Sequence, residues 1–252
     1  MKRILITGAA GKIGQHITNT LMKKTSYQLR LADINLFPLE KFKKSGNEII
    51  YLNISNLEEC QEVCKNTDIL IHLAGDPSPN ADFYTTLLET NIKGSYNIFK
   101  AASDNGISKV IVASSAQTVE GYPLDFQVTE SSPVRPKNMY GVSKCFVEAL
   151  ASYFAYEKQL QSVAIRIGAY DDYKPEGEQL SARDMSAYIS PEDFSDLLLK
   201  IILAENLPPF SILHGVSDNR FKRLNIEETK RLVEYKPNSD AFKLSGIQLF
   251  DC

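Results

Sequence analysis

The stretch Arg3-Ile4-Leu5-Ile6-Thr7-Gly8-Ala9-Ala10-Gly11-Lys12-Ile13-Gly14 decides the fold of this chain. Its first part, Arg3–Thr7, is a short apolar run of the kind that forms a buried strand. Gly8, Gly11 and Gly14 follow in the spacing Gly-x-x-Gly-x-x-Gly, and they open an amphipathic segment. A strand, a glycine turn and a helix in this order predict the first unit of an α/β sheet.

Similar units continue through the first two thirds of the chain. Short apolar runs rich in β-branched residues predict strands at Arg3–Thr7, Gln28–Asp33, Glu48–Leu52, Asp68–Leu73, Val110–Ser114 and Ser162–Ile167. Longer amphipathic stretches predict helices at Gly11–Lys24, Asn56–Lys65, Asp82–Asn105 and Tyr140–Lys158. Fully apolar strands that alternate with helices predict a Rossmann-like, doubly wound α/β fold, in which helices cover both faces of a parallel sheet.

The last third of the chain is less regular. Asp171–Met185 contains proline, glycine and charges without periodicity, and we expect a long surface excursion or lid there. Ser190-Pro191-Glu192-Asp193 predicts the start of a helix that runs to about Leu203. Pro209–His214 and Ile226–Glu234 are a further candidate strand and a candidate short helix.

Composition excludes several classes of function. The chain has 252 residues and a formal net charge of -3, so no basic excess would attract nucleic acid or an anionic membrane. The first strand follows the N-terminus directly, and no apolar run is long enough to span a bilayer, so we expect a cytoplasmic protein. The cysteines are too few and too unevenly placed for a disulfide framework, and no histidine lies near them in sequence, so we expect reduced thiols and no metal site. They are Cys60, Cys64, Cys145 and Cys252.

The glycine spacing also predicts a dinucleotide site. The first glycine permits a tight turn, the second lets backbone N–H groups approach a pyrophosphate, and the third lets helix and strand pack closely. Glycines also end strands for structural reasons alone. The strand-loop-helix context therefore carries this assignment.

Asp33 ends the second predicted strand, about 20 residues past the glycine loop. An acid there can accept hydrogen bonds from both adenosine ribose hydroxyls and would repel a 2′-phosphate, which predicts NAD rather than NADP. Arg30 is the nearby cation, but it precedes Asp33 by three residues and so lies on the opposite strand face. We thus expect a single domain over 1–252, with an NAD-binding core over 1–167 and a mixed substrate-side and C-terminal segment over 168–252.

Tyr140 and Lys144 lie four residues apart in a predicted helix, and they therefore share one face. A tyrosine has a pKa of roughly 10, so a depression of about 3 units would be needed for it to act as a base near neutrality. One positive charge at about 4–5 Å supplies roughly that depression at an effective dielectric constant near 20. Tyr and Lys at this spacing also occur by chance on many helices.

Taken together, the motifs resemble the extended short-chain dehydrogenase/reductase superfamily, the NAD-dependent epimerases and dehydratases. They are the glycine loop, Asp33, His72-Leu73-Ala74-Gly75, Asn91 in Asn-Ile-Lys-Gly, Ser114-Ser115 and Tyr140-x-x-x-Lys144. Ser115 lies 25 positions before Tyr140, and Pro133-x-x-Pro136 introduces the Tyr-Gly-x-Ser-Lys segment. The resemblance covers about residues 3 to 215, and it implies an NAD-dependent oxidoreductase that forms a homo-oligomer, a dimer or larger.

The resemblance also implies roles for individual residues. Tyr140 would be the acid/base, Lys144 would lower the phenol pKa and bind the nicotinamide ribose, and Ser115 would orient the reacting oxygen. Asn91 would hold a water or backbone group that connects Lys144 to solvent, although an Asn inside a helix is also a common structural feature. The implied cofactor-binding residues are Gly8, Ala10, Gly11, Lys12, Ile13, Gly14, Asp33, Asn53, Ile54, Leu73, Ala74, Gly75, Asn91, Tyr140, Lys144 and Ile167.

Within this superfamily the chain is similar to uronate dehydrogenases, which oxidise the anomeric carbon of hexuronic acids with NAD. The segments that carry this similarity are Tyr140-Gly-x-Ser-Lys-Cys145-Phe146, Ile165-Arg166-Ile167-Gly168, Ser190-Pro191-Glu192-Asp193-Phe194 and His214-Gly215-Val216-Ser217-Asp218-Asn219-Arg220. The implied substrate residues are Ser115, Ala116, Ala169 and Arg183. Arg183 would pair with the substrate carboxylate, and a solvated loop arginine is the alternative.

The substrate positions depart from the uronate dehydrogenase pattern. Ala116 and Ala169 stand where that family has polar side chains, and Pro77 replaces a serine. Asn53 replaces an Asp near the adenine, where an amide can still form hydrogen bonds. Because several hydroxyl contacts are lost, we expect a different, smaller or less hydroxylated substrate.

Two other functions remain open from the sequence. The first is epimerisation or dehydration of a nucleotide-linked sugar, in which hydride passes to NAD and returns. The second is a non-catalytic NAD-sensing protein on the same fold. The presence of Ser115, Tyr140 and Lys144 together favours an enzyme over the sensor, and the short C-terminal portion favours a dehydrogenase over the nucleotide-sugar enzymes.

Overall fold

A seven-stranded parallel sheet forms the centre of the computed structural model, which describes residues 2–43, 46–171 and 180–247. The strands of the chain are β1 (Arg3–Thr7), β2 (Gln28–Asp33), β3 (Glu48–Tyr51), β4 (Ile69–His72), β5 (Lys109–Ser115), β6 (Gln161–Ile167), β7 (Ala169–Tyr170), β8 (Tyr188–Ile189) and β9 (Phe210–Gly215). The strand order in the sheet is β3-β2-β1-β4-β5-β6-β9, and every neighbouring pair is parallel. The two-residue strands β7 and β8 form a separate pair.

Helices cover both faces of this sheet, as the sequence predicts. They are α1 (Lys12–Lys24), α2 (Glu40–Lys43), α3 (Leu57–Cys64), α4 (Ser95–Asp104), α5 (Met139–Glu157), α6 (Ala182–Ala187), α7 (Pro191–Leu203), α8 (Glu227–Val233) and α9 (Ala241–Leu244). A π-helical segment, Phe83–Gly94, runs directly into α4, and short 3₁₀ turns lie at Phe37–Leu39 and Ala116–Val119.

The core divides into two layers because successive strand side chains point to opposite faces. In β1, Ile4 and Ile6 pack with buried residues of α1, α2 and α7, whereas Leu5 packs with buried residues of α3, α4 and α5. All three side chains are fully buried. The predicted doubly wound α/β sheet is therefore confirmed.

The structure corrects several predicted elements. The predicted helix Asp82–Asn105 is a π-helical segment followed by α4, and the Asp82 side chain caps its start by accepting the Thr85 N–H at 2.9 Å. The irregular segment Asp171–Met185 ends in α6, whose start is capped by Ser181. Residues 172–179 of that segment, and Cys252, lie outside the described residues.

The carboxyl ends of the parallel strands bring distant parts of the chain to one edge of the sheet. Gly8 follows β1, Asp33 ends β2, Gly75 lies beyond β4, Ser115 ends β5 and Ile167 ends β6. The chain order of the strands reverses between β1 and β4, where open α/β sheets form a crevice for ligands. The topology therefore predicts a site at this edge.

Candidate active site

A cleft of about 980 Å³ opens at the carboxyl edge of the sheet. All of the site residues predicted from the sequence line it except Asn91. Those lining residues are Gly8, Ala10, Gly11, Lys12, Ile13, Gly14, Asp33, Asn53, Ile54, Leu73, Ala74, Gly75, Ser115, Ala116, Tyr140, Lys144, Ile167, Ala169 and Arg183. The structure thus collects side chains from almost the whole predicted core into one site.

The glycine loop forms one wall of the cleft, and its geometry requires glycine. Gly8 has a φ of +73°, and a Cβ there would lie 2.6 Å from the Ala74 nitrogen. A Cβ on Gly14 would lie 2.4 Å from the Gly8 carbonyl oxygen. Helix α1 begins just after Gly11, which has no side chain to cap the first N–H groups of the helix. The loop and helix end therefore fit a dinucleotide pyrophosphate at close range.

Asp33 lies at the far end of the same wall and is tied to the loop. Its carboxylate accepts the Ala10 N–H at 2.9 Å and the Asn35 N–H at 3.0 Å. Arg30 points to the opposite face, where it pairs with Glu48 at 2.7 Å and donates to the Val63 carbonyl at 2.6 Å. The cleft thus presents a carboxylate, with Arg30 held away from it, where an adenosine ribose would bind.

Ser115, Tyr140 and Lys144 meet at the other end of the cleft. Helix α5 packs against β5, and Asn138 caps its start by accepting the Gly141 N–H at 2.7 Å. The side chains of Tyr140 and Ser115 are hydrogen-bonded to each other. Lys144 places its Nζ 5.7 Å from the centre of the Tyr140 ring and donates to the Ala113 carbonyl at 2.8 Å.

Burial controls the protonation of this pair. Burial raises the pKa of Tyr140, the Asp76 carboxylate raises it further, and the hydrogen bond with Ser115 lowers it. Burial lowers the pKa of Lys144 to about 8. The sequence predicted that Lys144 would lower the phenol pKa, but among the protein's own groups the lowering comes from Ser115, while burial and Asp76 raise the pKa of Tyr140.

Asn91 lies behind the cleft wall, with 1% of its surface exposed. Its amide accepts the Asp76 N–H at 2.8 Å and donates to the Asp76 carbonyl at 3.0 Å and to the Ser143 hydroxyl at 3.1 Å. Gly75, which lines the cleft just before Asp76, has a φ of +148°, and a Cβ there would lie 3.1 Å from the Asn91 Oδ1. Asn91 thus clamps the backbone after β4 to helix α5.

Arg183 lies on α6 and lines the same cleft as Tyr140. Its Nε and Nη2 donate to the two Glu120 carboxylate oxygens at 3.1 and 2.6 Å. Its Nη1 donates to Asp184 at 2.8 Å. The arginine predicted to face a substrate carboxylate already faces two carboxylates of the protein.

Sequence reasoning missed several lining residues. Asp76 directly follows the predicted Gly75 at a strand end, so its position was accessible from the sequence. Thr86 and Thr90 lie about one turn apart on the π-helical segment, and Gln117 and Tyr170 are further polar residues of the lining. Glu120 gave no sequence signal, since only the fold brings it to Arg183.

A buried ion pair supports the end of β5. Arg166 donates through Nε and Nη2 to the two Glu148 oxygens at 2.8 and 2.9 Å, and the Ser114 hydroxyl donates to the same carboxylate at 2.6 Å. Arg166 and Glu148 are both buried. The network joins β5, β6 and α5 directly below Ser115, and it fixes the strand end that carries this residue.

The three cysteines within the described residues have pKa values that disfavour the reactive thiolate. Burial raises the pKa of Cys60 and of Cys64 to about 12, and that of Cys145 to about 11. Within residues 2–43, 46–171 and 180–247, no three His, Cys, Asp or Glu side chains cluster as metal ligands. Over the same residues, no helix combines the length and the apolar character needed to cross a lipid bilayer.

Residues 4–188 match the model of the NAD dependent epimerase/dehydratase family. An NAD-dependent glucose-6-phosphate dehydrogenase of Haloferax volcanii is 30% identical, over 98% of this chain and 97% of the relative. An L-arabinose 1-dehydrogenase (NAD(P)(+)) of the same organism is also 30% identical, over 96% of this chain and 98% of the relative.

A solved structure with the same fold carries the cofactor. It is a mutant uronate dehydrogenase from Agrobacterium tumefaciens complexed with NAD, which is 26% identical. Its TM-score is 0.83, with 100% of this chain and 92% of that chain covered. The chain therefore belongs to the NAD dependent epimerase/dehydratase family, and it is an NAD-dependent oxidoreductase.

Proposed function

We propose that this protein oxidises a hydroxyl of a sugar or sugar acid, at the anomeric carbon, with Tyr140 as the acid/base. One observation carries the proposal: Ser115, Tyr140 and Lys144 meet in the cleft that also holds the glycine loop and Asp33. The choice of the anomeric carbon is supported by one relative, which is named L-arabinose 1-dehydrogenase (NAD(P)(+)).

The cleft offers groups for each part of the cofactor. The glycine loop would hold the pyrophosphate, Asp33 the adenosine ribose and Lys144 the nicotinamide ribose. When bound, NAD would supply the hydride acceptor and a positive charge.

Tyr140 takes the hydroxyl proton of the sugar as the C–H bond gives up its hydride. Burial alone favours the neutral phenol, so ionisation depends on positive charge near Tyr140. Lys144, with its pKa of about 8, remains mostly protonated at pH 7 and contributes part of that charge. The Ser115 hydroxyl, hydrogen-bonded to the phenol, orients the oxygen that loses its proton.

Asn91 would act as a positioning residue in this mechanism. Its amide fixes both backbone groups of Asp76, and Gly75 lies between this clamp and Lys144. The clamp sets the distance between the wall after β4 and helix α5. We propose that Asn91 in this way fixes the backbone groups that connect Lys144 to solvent.

The chain is further proposed to be a cytoplasmic homo-oligomer. Buried thiols at Cys60 and Cys64 fit a reducing compartment. Helix α5 exposes Tyr153 and Tyr156, which is typical of an interface between subunits. Light scattering on the purified protein tests the assembly, and a mass equal to one chain would contradict it.

Incubation with NAD and a panel of hexuronic acids, aldoses and nucleotide sugars, followed by NADH absorbance, tests the activity. We expect NADH to accumulate in proportion to the sugar consumed. Sugar conversion with tightly retained cofactor and no net NADH would instead indicate an epimerase or dehydratase. NAD binding without turnover of any panel member would indicate a sensor.

A further inference from the structure

All three nitrogens of the Arg183 guanidinium group are hydrogen-bonded to carboxylates of the protein. Each of its three nitrogens donates to a carboxylate oxygen, two on Glu120 and one on Asp184, at distances from 2.6 to 3.1 Å. The paired contact with Glu120 has the fork geometry in which an arginine binds a carboxylate most strongly. An anionic ligand would have to compete with a carboxylate that is part of the fold.

Glu120 is held in place from a second side. Arg223, which is 3% exposed, lies with its Nε 3.7 Å from a Glu120 oxygen. The Nη2 of Arg223 donates to the Glu120 and Tyr122 carbonyls at 3.2 and 3.0 Å, which fixes the backbone that carries Glu120. Two arginines and two carboxylates, with Asp184 as the second acid, therefore balance to zero formal charge.

Apart from Lys144, the described lining residues near Tyr140 add no positive charge to that of Arg183. Ala116, Ala169, Pro77 and Pro79 are apolar, and the acidic Asp76 lines the same end. Asp76 lies close enough for its charge to raise the pKa of Tyr140, so it also acts on any anion bound beside the phenol.

The two lysines of the lining are engaged elsewhere. Lys12 pairs with Asp171 at 2.7 Å, on the side of the glycine loop. Lys144 donates to the Ala113 carbonyl at 2.8 Å and belongs to the reacting end of the site. Within the described part of the cleft, Arg183 is thus the cation best placed for a substrate substituent, and its charge is cancelled.

We infer that the substrate is an uncharged aldose, and that Glu120 determines this specificity by neutralising Arg183. The guanidinium has five N–H groups, so it can still donate hydrogen bonds to sugar hydroxyls while it holds the two carboxylates. A carboxylate or phosphate on the sugar would meet Glu120, Asp184 and Asp76 without a free counter-charge. This inference rests on the proposed function, since it names the substrate class of the same site.

Matched pairs of sugars test the inference: glucose with glucuronate and galactose with galacturonate, plus glucose 6-phosphate. The wild-type kcat/KM for each aldose should exceed that for its uronate by about tenfold or more, the scale of one unbalanced charge in a partly buried site. Glu120→Gln should narrow this ratio by about tenfold, mainly through a lower KM for the uronate. Glu228→Gln is the matched control, because Glu228 forms a similar paired contact with Arg231 on the surface of α8.

Three results would overturn the inference: a wild-type preference for the uronate or the phosphate, a ratio that Glu120→Gln leaves unchanged, or binding of neither sugar. Calorimetry on the Tyr140→Phe protein with NAD measures sugar binding without turnover. If no sugar reduces NAD, the proposed function fails, while calorimetry still compares the aldose with the uronate. The wild-type comparison stands by itself if Glu120→Gln does not fold.

Discussion

Tyr140 is a buried phenol whose own surroundings favour the protonated form. Burial and Asp76 both raise its pKa, and Ser115 opposes them. The sequence alone suggested that a lysine one turn away would be sufficient to ionise it. In the structure, burial instead lowers the pKa of Lys144 itself to about 8, which disfavours its charged form. Deprotonation of Tyr140 therefore requires positive charge beyond that of these groups.

Replacement of Tyr140 by Phe should reduce turnover while leaving NAD binding intact. Loss of a positioned acid/base costs about 10²–10⁴-fold in rate, and the ring of Phe fills the same space. The measurement is kcat on the sugar identified from the panel, together with the dissociation constant for NAD. Tyr96→Phe, at an exposed position of α4, is the control. A Tyr140→Phe protein with near-normal kcat would refute the assignment of the acid/base.

Substitution of Asp33 by Asn should weaken the discrimination between NAD and NADP. The amide oxygen can still accept the Ala10 N–H that Asp33 accepts now, so the loop should keep its shape. Loss of the negative charge removes the repulsion of a 2′-phosphate, and the NADP to NAD ratio of kcat/KM should rise by about tenfold or more. Arg30 is not free to add to this effect, since it pairs with Glu48. An unchanged ratio would show that Asp33 does not face the ribose.

The sequence predicted the positions of the candidate catalytic residues better than it predicted their protonation states. Strand ends and helix spacing placed Ser115, Tyr140 and Lys144, because local patterns determine which face a residue occupies. Arg183 and Glu120 are 63 residues apart, and only tertiary structure joins them. The family resemblance therefore implied an arginine that pairs with a substrate carboxylate, with a solvated loop arginine as the alternative, whereas the structure has an ion pair.

At the scale of elements, hydrophobic periodicity gave the central strands and most helices to within one or two residues. It worked because buried strands are continuous apolar runs and surface helices are amphipathic. It did not resolve the π-helical segment Phe83–Gly94, since that segment shares its composition with an ordinary helix. It also missed α2, α6, α9 and the β7–β8 pair, which are too short to show a periodic pattern.

The junction between β1 and α1 should tolerate no side chain at Gly14. A Cβ there would lie 2.4 Å from the Gly8 carbonyl and 2.7 Å from the Ala9 backbone, so Gly14→Ala must push the helix away from the strand. We expect a stability loss of about 1–3 kcal/mol, as for an overpacked core, and weaker NAD binding.

Gly106→Ala provides the control for Gly14→Ala. Gly106 has a φ of +67°, and the position that a Cβ would take there has no other atom within 4 Å, so only backbone strain of roughly 1–2 kcal/mol applies. NAD affinity should not change in that variant. Urea unfolding and NAD titration measure both quantities. Equal NAD affinities in the two alanine variants would contradict the claim that a side chain at Gly14 displaces α1 from β1.

At the scale of the whole molecule, the sheet buries two histidines that the mechanism does not use. Burial, with a smaller contribution from Lys144, lowers the pKa of His72 to about 3, and its Nδ1 lies 2.7 Å from the Thr7 hydroxyl. Burial likewise lowers the pKa of His214 to about 3. Both imidazoles are therefore neutral in the folded chain at any pH near neutrality.

Acid should destabilise the fold well before the carboxylates titrate. These histidines become protonated near pH 6.5 in the unfolded chain but only near pH 3 in the folded chain. Between these two pH values the unfolded state therefore binds more protons than the folded state. The free energy of unfolding should fall by about 2 kcal/mol per histidine between pH 6.5 and 5. Urea unfolding at pH 7.5 and 5 measures this, and His72→Asn should remove about half of the loss. A free energy of unfolding that is constant over this range would contradict the burial of neutral imidazoles.

Hydride transfer from a sugar to NAD is tested most directly with an aldose deuterated at C1. If Tyr140 serves the oxidation proposed for this cleft, NADH should accumulate in equal amount to the sugar consumed. Mass spectrometry should then find one deuterium in each nicotinamide, and the Tyr140→Phe protein should show the same transfer at a much lower rate. Sugar conversion without net NADH, or NADH without deuterium, would contradict hydride transfer from the anomeric carbon.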